Sequence, residues 1–372
     1  MAMIATWGFY FFGSPPEDGV ELAEADYQRI FDQYVDLWVR CEAWGFDGVT
    51  WAEHHFNPGT LSPSPNLLVA AVAARTTRLR FTILGTVLPM NNVRRYAEEC
   101  GMLRYLTHGR FEPGIGPGAG AAEAMRDGMT WEEVRPRYYS GAELLRKAIA
   151  GKRVTHQDEF YNLDNVPLEP PIHLGPGQSV WTTVLSPDSA AWAAERGFKI
   201  ATAWHPVEKA TAVAGRYYEA ADAAGVRVDP SMLGLRRRVF VAETDALAHE
   251  IWEESVDLVG AHAGSMFETQ DPAILKMFDI PDDFAIGSPE TVAERLIDQC
   301  QAGGFGTLFA FTDFGGFTPE VLARSHELIG TKVAPLLRSA DVKGGGRGTN
   351  VDLDELAEAS AAHIRSVSAD RK

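Results

Sequence analysis

Eight short β-rich apolar runs, separated by stretches with helical spacing, constrain this chain more than any other feature. The runs are Ile4–Phe12, Asp47–Ala52, Leu79–Leu88, Arg110–Gly116, Ser179–Leu185, Lys199–Trp204, Leu235–Ala242 and Gly306–Thr312. The helical stretches are Ala23–Trp44, Asn66–Arg75, Val93–Leu106, Trp131–Ala150, Pro187–Arg196, Val207–Ala224, Asp245–Val259, Pro289–Ala302 and Pro319–Leu337. Strand-then-helix alternation predicts a parallel sheet covered on both faces. Eight such units close most simply into a TIM-type (β/α)₈ barrel. An open doubly wound sheet would need a dinucleotide-type glycine fingerprint after the first strand, and Phe12-Gly13-Ser14-Pro15-Pro16 does not supply one.

Two irregular insertions interrupt the alternation. Val154–Pro171 is polar and proline-rich and suggests a short hairpin, and His262–Ile286 is the second insertion. Residues 1–340 therefore read as one α/β barrel domain. Residues 341–372 read as a glycine-rich linker, from Lys343 to Gly348, and a C-terminal tail. In that tail Val351, Leu353, Leu356, Ala359 and Ile364 share one helical face only loosely, so a short helix or disorder is expected.

Charge excludes some partners. The 34 Lys and Arg against 51 Asp and Glu give a net charge of −17. Such a surface repels nucleic acid and anionic membranes. No apolar segment is long enough to span a bilayer, and no secretory signal pattern opens the chain. Cys41, Cys100 and Cys300 lie in helical stretches without Cys-x-x-Cys spacing. Reduced thiols and a cytoplasmic location are the expectation.

In a parallel barrel, sites gather where strands end. The second strand ends in Glu53-His54-His55-Phe56. Neighbouring residues on extended chain point to opposite sides, so the two histidines do not readily share a metal. No second histidine cluster ends another strand, and acid–base chemistry or a purely structural pair remains. The fourth strand runs into Gly114-Ile115-Gly116-Pro117-Gly118-Ala119-Gly120, where a ligand can approach the backbone closely. The fifth is followed by Ser186-Pro187-Asp188-Ser189, a good helix start and equally a phosphate seat. Arg135 and Arg137, early in the next long helix after the fourth strand, are candidate phosphate partners or a solvated face. Trp7, Phe9, Phe11, Trp51, Trp204, Phe309 and Phe311 lie on strands or their ends, some as core and some as pocket wall.

Taken together the chain resembles the bacterial luciferase-like flavin monooxygenases over about Ile4 to Leu337. The resemblance rests on Gly45-Phe46-Asp47, Glu53-His54-His55-Phe56, Val87-Leu88-Pro89, Ala97-Glu98, Gly109-Arg110-Phe111 and Ser186-Pro187-Asp188-Ser189. It continues through Ala193-Ala194-Glu195-Arg196-Gly197, Gly303-Gly304-Phe305-Gly306-Thr307 and Val333-Ala334-Pro335. The resemblance implies reduced FMN, supplied by a separate flavin reductase, reacting with O₂ to a C4a-hydroperoxide that oxygenates a small organic substrate. It implies that His54 assists as a catalytic base. Gly85 and Thr86 fall where the third strand touches the flavin, at a position linked in the family to a non-prolyl cis bond. Gly116 takes the place of a reactive but non-essential cysteine. Ser186, Ser189 and Arg135 match phosphate-binding positions, and Trp204 a tryptophan beside the isoalloxazine.

The chain departs from the luciferases in two places. Pro117 stands at a second phosphate-binding arginine, and Leu185 replaces a glutamate. The Gly-Ile-Gly-x-Gly form is similar to the flavin-dependent Baeyer–Villiger and terpene or alkane oxygenases, which implies oxygenation without light emission. Two alternatives remain: an F420-dependent oxidoreductase on the same barrel, and a non-catalytic flavin-binding partner subunit. The family also implies a homodimer, for which Leu67, Leu68, Ala70, Ala71 and Ala74 offer a small-residue helix face.

Overall fold

The barrel strands form because short β-branched and aromatic runs are buried on both faces, as a parallel sheet under helices requires, and a more exposed hairpin lies outside that sheet. In the computed structural model, which describes residues 3–13, 22–56, 59–118, 121–266, 280–314 and 316–344, they are β1 (Ala5–Tyr10), β2 (Gly48–Trp51), β3 (Arg80–Ile83), β4 (Thr86–Val87), β5 (Gly114–Gly116), β6 (Arg153–Gln157) and β7 (Asn162–Pro167). The second half adds β8 (Trp181–Thr183), β9 (Lys199–Thr202), β10 (Leu233–Val241), β11 (Phe284–Gly287) and β12 (Thr307–Phe311). The helices that bear on the site are α1 (Glu24–Trp44), α2 (Pro65–Ala73), α3 (Val93–Leu106), α4 (Ala121–Arg126), α5 (Trp131–Ala150), α6 (Pro187–Glu195), α7 (Val207–Ala223) and α8 (Asp245–Met266).

Every pairing in the main sheet is parallel, in the order β3-β2-β1-β12-β10-β9-β8-β5-β4. The ends meet. Phe81 on β3 pairs with Phe111, through Phe81 N–H to Arg110 O (2.9 Å) and Glu112 N–H to Phe81 O (2.9 Å). The ring is an eight-unit barrel, with β3 and β4 as two parts of its third strand. The antiparallel β6–β7 hairpin fills the first expected insertion.

Local chemistry sets the element ends. Asn92 caps α3 by accepting the Arg95 N–H (3.2 Å). Gly45 ends α1 at φ +100°, a left-handed conformation that a glycine adopts without Cβ strain.

Two apolar layers result. The outer lies between barrel and helices and includes Ile4, Trp38, Val49, Trp51, Val213, Leu296 and Leu308. The inner fills the barrel with Trp7, Phe9, Phe11, Trp181, Phe240, Phe309 and Phe311. At the amino-end floor Lys199 Nζ meets Glu112 Oε2 at 2.5 Å and Arg80 meets Glu112 Oε1. This ion cluster lies under Trp7 and Trp181, over whose rings the Arg80 and Lys199 charges stand. Polar closure of that end leaves the carboxyl-end mouth for chemistry.

Several expectations need correction. Leu79–Leu88 is not one strand, because residues 84 and 85 break it and Leu88–Met90 turns as a 3₁₀ helix. Arg110–Gly116 pairs regularly only over β5, with Phe111 as a separate bridge. The glycine-rich run leads into the short helix α4. His262 continues α8, and Phe284–Gly287 is a strand that pairs with β10 instead of irregular chain. Pro319–Leu337 is broken by a π turn at Ile329–Val333 ahead of Pro335, whose missing N–H cannot continue an α ladder. Trp51 points outward onto Trp38 of α1 and walls no pocket. Leu68 is buried in the core, while Leu67, Ala71 and Ala74 face out. The linker and tail beyond Gly344, and residues 14–21, lie outside the described residues. Val342 packs into the core.

Candidate active site

The mouth is assembled by side chains from consecutive strand ends. From the second comes His54, 9% exposed, with its ring 5.2 Å from that of Phe11 after the first strand. Its Nδ1 lies 3.0 Å from Glu123 Oε1 on α4, and the same oxygen accepts the His55 N–H at 3.1 Å. Burial alone pushes the Glu123 carboxyl up, but hydrogen bonds and charge from His54 and His55 outweigh it and hold the group low. An ionised carboxylate only accepts. The Nδ1 of His54 is therefore the donor, and in the neutral ring Nε2 carries the lone pair.

His55 points the other way, as alternation requires. Its Nε2 donates to Glu53 Oε1 (3.0 Å), which also accepts from Asn91 Nδ2 (2.8 Å). Glu53 raises the His55 pKa chiefly through this bond, against the opposing effect of burial. Adjacent histidines thus serve separate carboxylates: His54 meets Glu123 at the mouth, and His55 meets Glu53, which itself links the end of the second strand to Asn91 before α3.

Further round the ring, the Leu84–Gly85 peptide is cis. A Cβ on Gly85 would stand 2.5 Å from the Ile115 carbonyl, so backbones touch there. Thr86 follows and pairs with Ile115, and Gly116 pairs with Val87. A Cβ on Gly116 would stand 2.9 Å from Thr183 Oγ1 at the end of β8. Ser186 caps α6: its Oγ accepts the Ser189 N–H (3.3 Å), and the two hydroxyls lie 3.0 Å apart. Arg135 is exposed on the first turns of α5, and Arg137 stacks over Phe160 at 5.1 Å. The α5 face reaches the fifth unit through Tyr138, whose hydroxyl meets Thr182 at 2.6 Å. Apart from Arg135, which lies on the exposed face of α5, the expected residues fall at or just after neighbouring strand ends, from the second to the sixth.

Trp204, after β9, has φ +60°. A bulky residue there carries backbone strain, which surrounding contacts must impose. Arg236 on β10 packs on its ring, with the guanidinium 3.8 Å from the ring centroid, and Arg238 stands at 4.9 Å. Next door, His205 Nε2 donates to Leu185 O (2.9 Å), and burial pushes its pKa down to about 4. His205 is a neutral clip between two strand ends.

Sequence reasoning missed Glu123, Arg236, Arg238 and Asp283. Glu123 meets His54 across 69 residues, and no local spacing announces such a pair. Arg236-Arg237-Arg238 did give a signal: three arginines inside a strand alternate faces. Arg236 and Arg238 point inward and share Asp283 Oδ2 (2.9 and 2.7 Å), while Arg237 bonds Gln299 on the helix side (2.6 Å).

The sequence matches the family model described as luciferase-like monooxygenase over residues 17–306. The chain belongs to the luciferase-like monooxygenase family. It is 23% identical over 351 residues to 2,5-diketocamphane 1,2-monooxygenase 2 of Pseudomonas putida, covering 84% of this chain and 95% of that protein. Its fold is similar to the oxygenating constituent of 3,6-diketocamphane monooxygenase from Pseudomonas putida, a type II Baeyer–Villiger monooxygenase solved with FMN (TM-score 0.71, 24% identity, 90% and 99% of the two chains). An F420-dependent secondary alcohol dehydrogenase shares the fold too (TM-score 0.68, 17% identity, 91% and 100%). Within this luciferase-like barrel, the His54–Glu123 pair stands at the end where parallel barrels carry their chemistry.

Proposed function

We propose that this luciferase-like chain binds reduced FMN at the carboxyl-end mouth and uses O₂ to oxygenate a small organic substrate. A separate cytoplasmic reductase supplies the reduced flavin. The observation that carries this reading is the His54–Glu123 pair, buried at the mouth beside the aromatic lining.

The residues present fit the cofactor. The α6 start offers a phosphate the Asp188 N–H and the Ser186 and Ser189 hydroxyls, which close the helix cap between them, and exposed Arg135 adds a cation. Gly85, Thr86 and Gly116 supply a side-chain-poor wall for a flat ring, and Trp204 supplies an aromatic face. Buried N–H groups of Arg236 without partners await an acceptor. Bound reduced flavin supplies the electron pair that activates O₂.

The chain's own contribution is positional. Glu123 fixes the His54 tautomer, so Nε2 takes a proton from substrate or accepts a hydrogen bond. Phe9, Phe11, Phe311 and Phe314 keep water from the reacting groups.

Anaerobic titration with reduced FMN, reduced FAD and reduced F420 tests the reading. Reduced FMN is expected to bind more tightly than the other two. Tightest binding of reduced F420, with no reaction with O₂, would replace this reading with hydride transfer. Bound flavin without oxygen uptake would point to a non-catalytic partner subunit.

A further inference from the structure

Arg236 is 3% exposed and points into the barrel from β10. Its Nη2 donates to Asp283 Oδ2 at 2.9 Å, an oxygen that Arg238 Nη1 also uses at 2.7 Å. Its Nε and Nη1 are buried without a hydrogen-bond partner. These two atoms carry three of the five N–H donors of a guanidinium. The Trp204 ring covers the group at 3.8 Å and Phe311 stands 5.3 Å away. Buried donors are nearly always satisfied in folded proteins, and those of a cation are the most costly to leave open.

The opposite end of the barrel shows a different design. There Lys199 and Arg80 converge on Glu112, so a carboxylate receives both cations. At the mouth, Asp283 is the carboxylate that Arg236 meets among the described residues, and it engages one guanidinium nitrogen. The remaining donors are left for an acceptor from water or from a ligand, and the aromatic neighbours disfavour bulk water.

We propose that Arg236 is the anion-binding residue of the mouth. Its open N–H groups take an anionic acceptor from the molecule that lies against Trp204. This rests on the reading that flavin and substrate occupy the mouth. The acceptor is carried either by the negatively charged ring of reduced flavin or by an acidic group on the organic substrate, and the chemistry recognised is the same.

The test compares wild type with Arg236→Met and Arg236→Lys by calorimetry. The probes are oxidised FMN, anaerobic reduced FMN, benzoate, and its neutral analogue benzamide, the last two with oxidised FMN present. If the flavin supplies the charge, Arg236→Met weakens reduced FMN at least tenfold and leaves oxidised FMN within about twofold. The two-electron potential of the bound flavin then falls by about 30 mV for each tenfold difference. If the substrate supplies the charge, wild type binds benzoate and not benzamide, and Arg236→Met loses benzoate with both flavin forms unaffected. Arg236→Lys keeps part of either effect. A folded Arg236→Met that binds all four probes like wild type overturns the proposal. So does a wild type that prefers neither benzoate over benzamide nor reduced over oxidised FMN, an outcome that needs no variant. Failure of wild type to bind any flavin would sink the cofactor reading separately, while benzoate against benzamide without flavin still reports on Arg236.

Discussion

Glu123 Oε1 lies 3.0 Å from His54 Nδ1, and the same oxygen holds the His55 N–H. One carboxylate thus orients the ring and anchors the backbone beside it. Glu123→Gln keeps an acceptor but removes its charge. Hydrogen bonds to charged groups contribute about 1.5–3 kcal/mol, so turnover should fall roughly 10- to 100-fold with flavin affinity unchanged. An unaltered rate in a folded variant would remove Glu123 from the mechanism.

The same carboxylate gives a pH signature. Its folded pKa lies below the ordinary value, so the unfolded chain binds the proton more readily. Its stabilisation is complete above the unfolded carboxylate pKa of about 4.3 and is lost as pH falls through the folded value. Melting curves from pH 7 down to pH 3 should show Glu123→Gln losing less stability on acidification than wild type. Parallel curves would contradict the pairing.

The two histidines should separate. His54→Ala is expected to lower turnover by about 10²–10⁴-fold while FMN binds as before. His55→Ala should retain more activity and lose stability, because it strips a donor from buried Glu53. The raised pKa of His55 means that its stabilisation is present below about pH 6.5 and fades as pH rises through the folded value. The melting-temperature gap between His55→Ala and wild type should therefore be wider at pH 5.5 than at pH 9. Rates that reverse this order would assign the wrong histidine to the chemistry.

The proposed phosphate seat can be probed without unmaking the helix. Ser186→Gly keeps α6 capped at a cost of a few tenths of a kcal/mol, where alanine would cost about 1. The glycine variant and Arg135→Ala should each weaken FMN several-fold and leave riboflavin, which lacks the phosphate, unaffected. Equal losses for both ligands would place the phosphate elsewhere.

Barrel closure has its own test. A Cβ on Gly114 would stand 1.8 Å from the Ile83 carbonyl, backbone against backbone. Gly114→Ala should destabilise by about 1–3 kcal/mol or more in denaturant unfolding, since neither strand can yield without loosening the ring. A neutral substitution would mean that β3 and β5 are less tightly apposed.

Much of the fold was legible in the sequence because burial imposes periods of 2 and 3.6 on apolar residues. The cap at Asn92, the α6 start at Ser186 and the hairpin between Arg153 and Pro167 all carry local chemistry that a sequence displays. What was hidden is non-local. Glu123 lies on a six-residue helix behind glycines, too short to show periodicity. Phe284–Gly287 reads as loop because its β character comes from pairing with β10. The three arginines of β10 lie inside a run read as an apolar strand, and only the buried strand with its alternation shows that two of them point inward. Trp51 was ambiguous because a fully buried strand has two apolar faces, and only the position of Trp38 decides between them.

A mouth that holds reduced FMN and manages O₂ delays the return of oxidised flavin after oxygen is taken up. The most direct measurement mixes the anaerobic protein–reduced FMN complex with O₂ and follows oxygen uptake and the return of oxidised-flavin absorbance together. Oxygen is expected to be consumed before that absorbance returns, and His54→Ala to shorten the lag. Coincident traces indistinguishable from free reduced FMN, or no oxygen uptake by the complex, would contradict it.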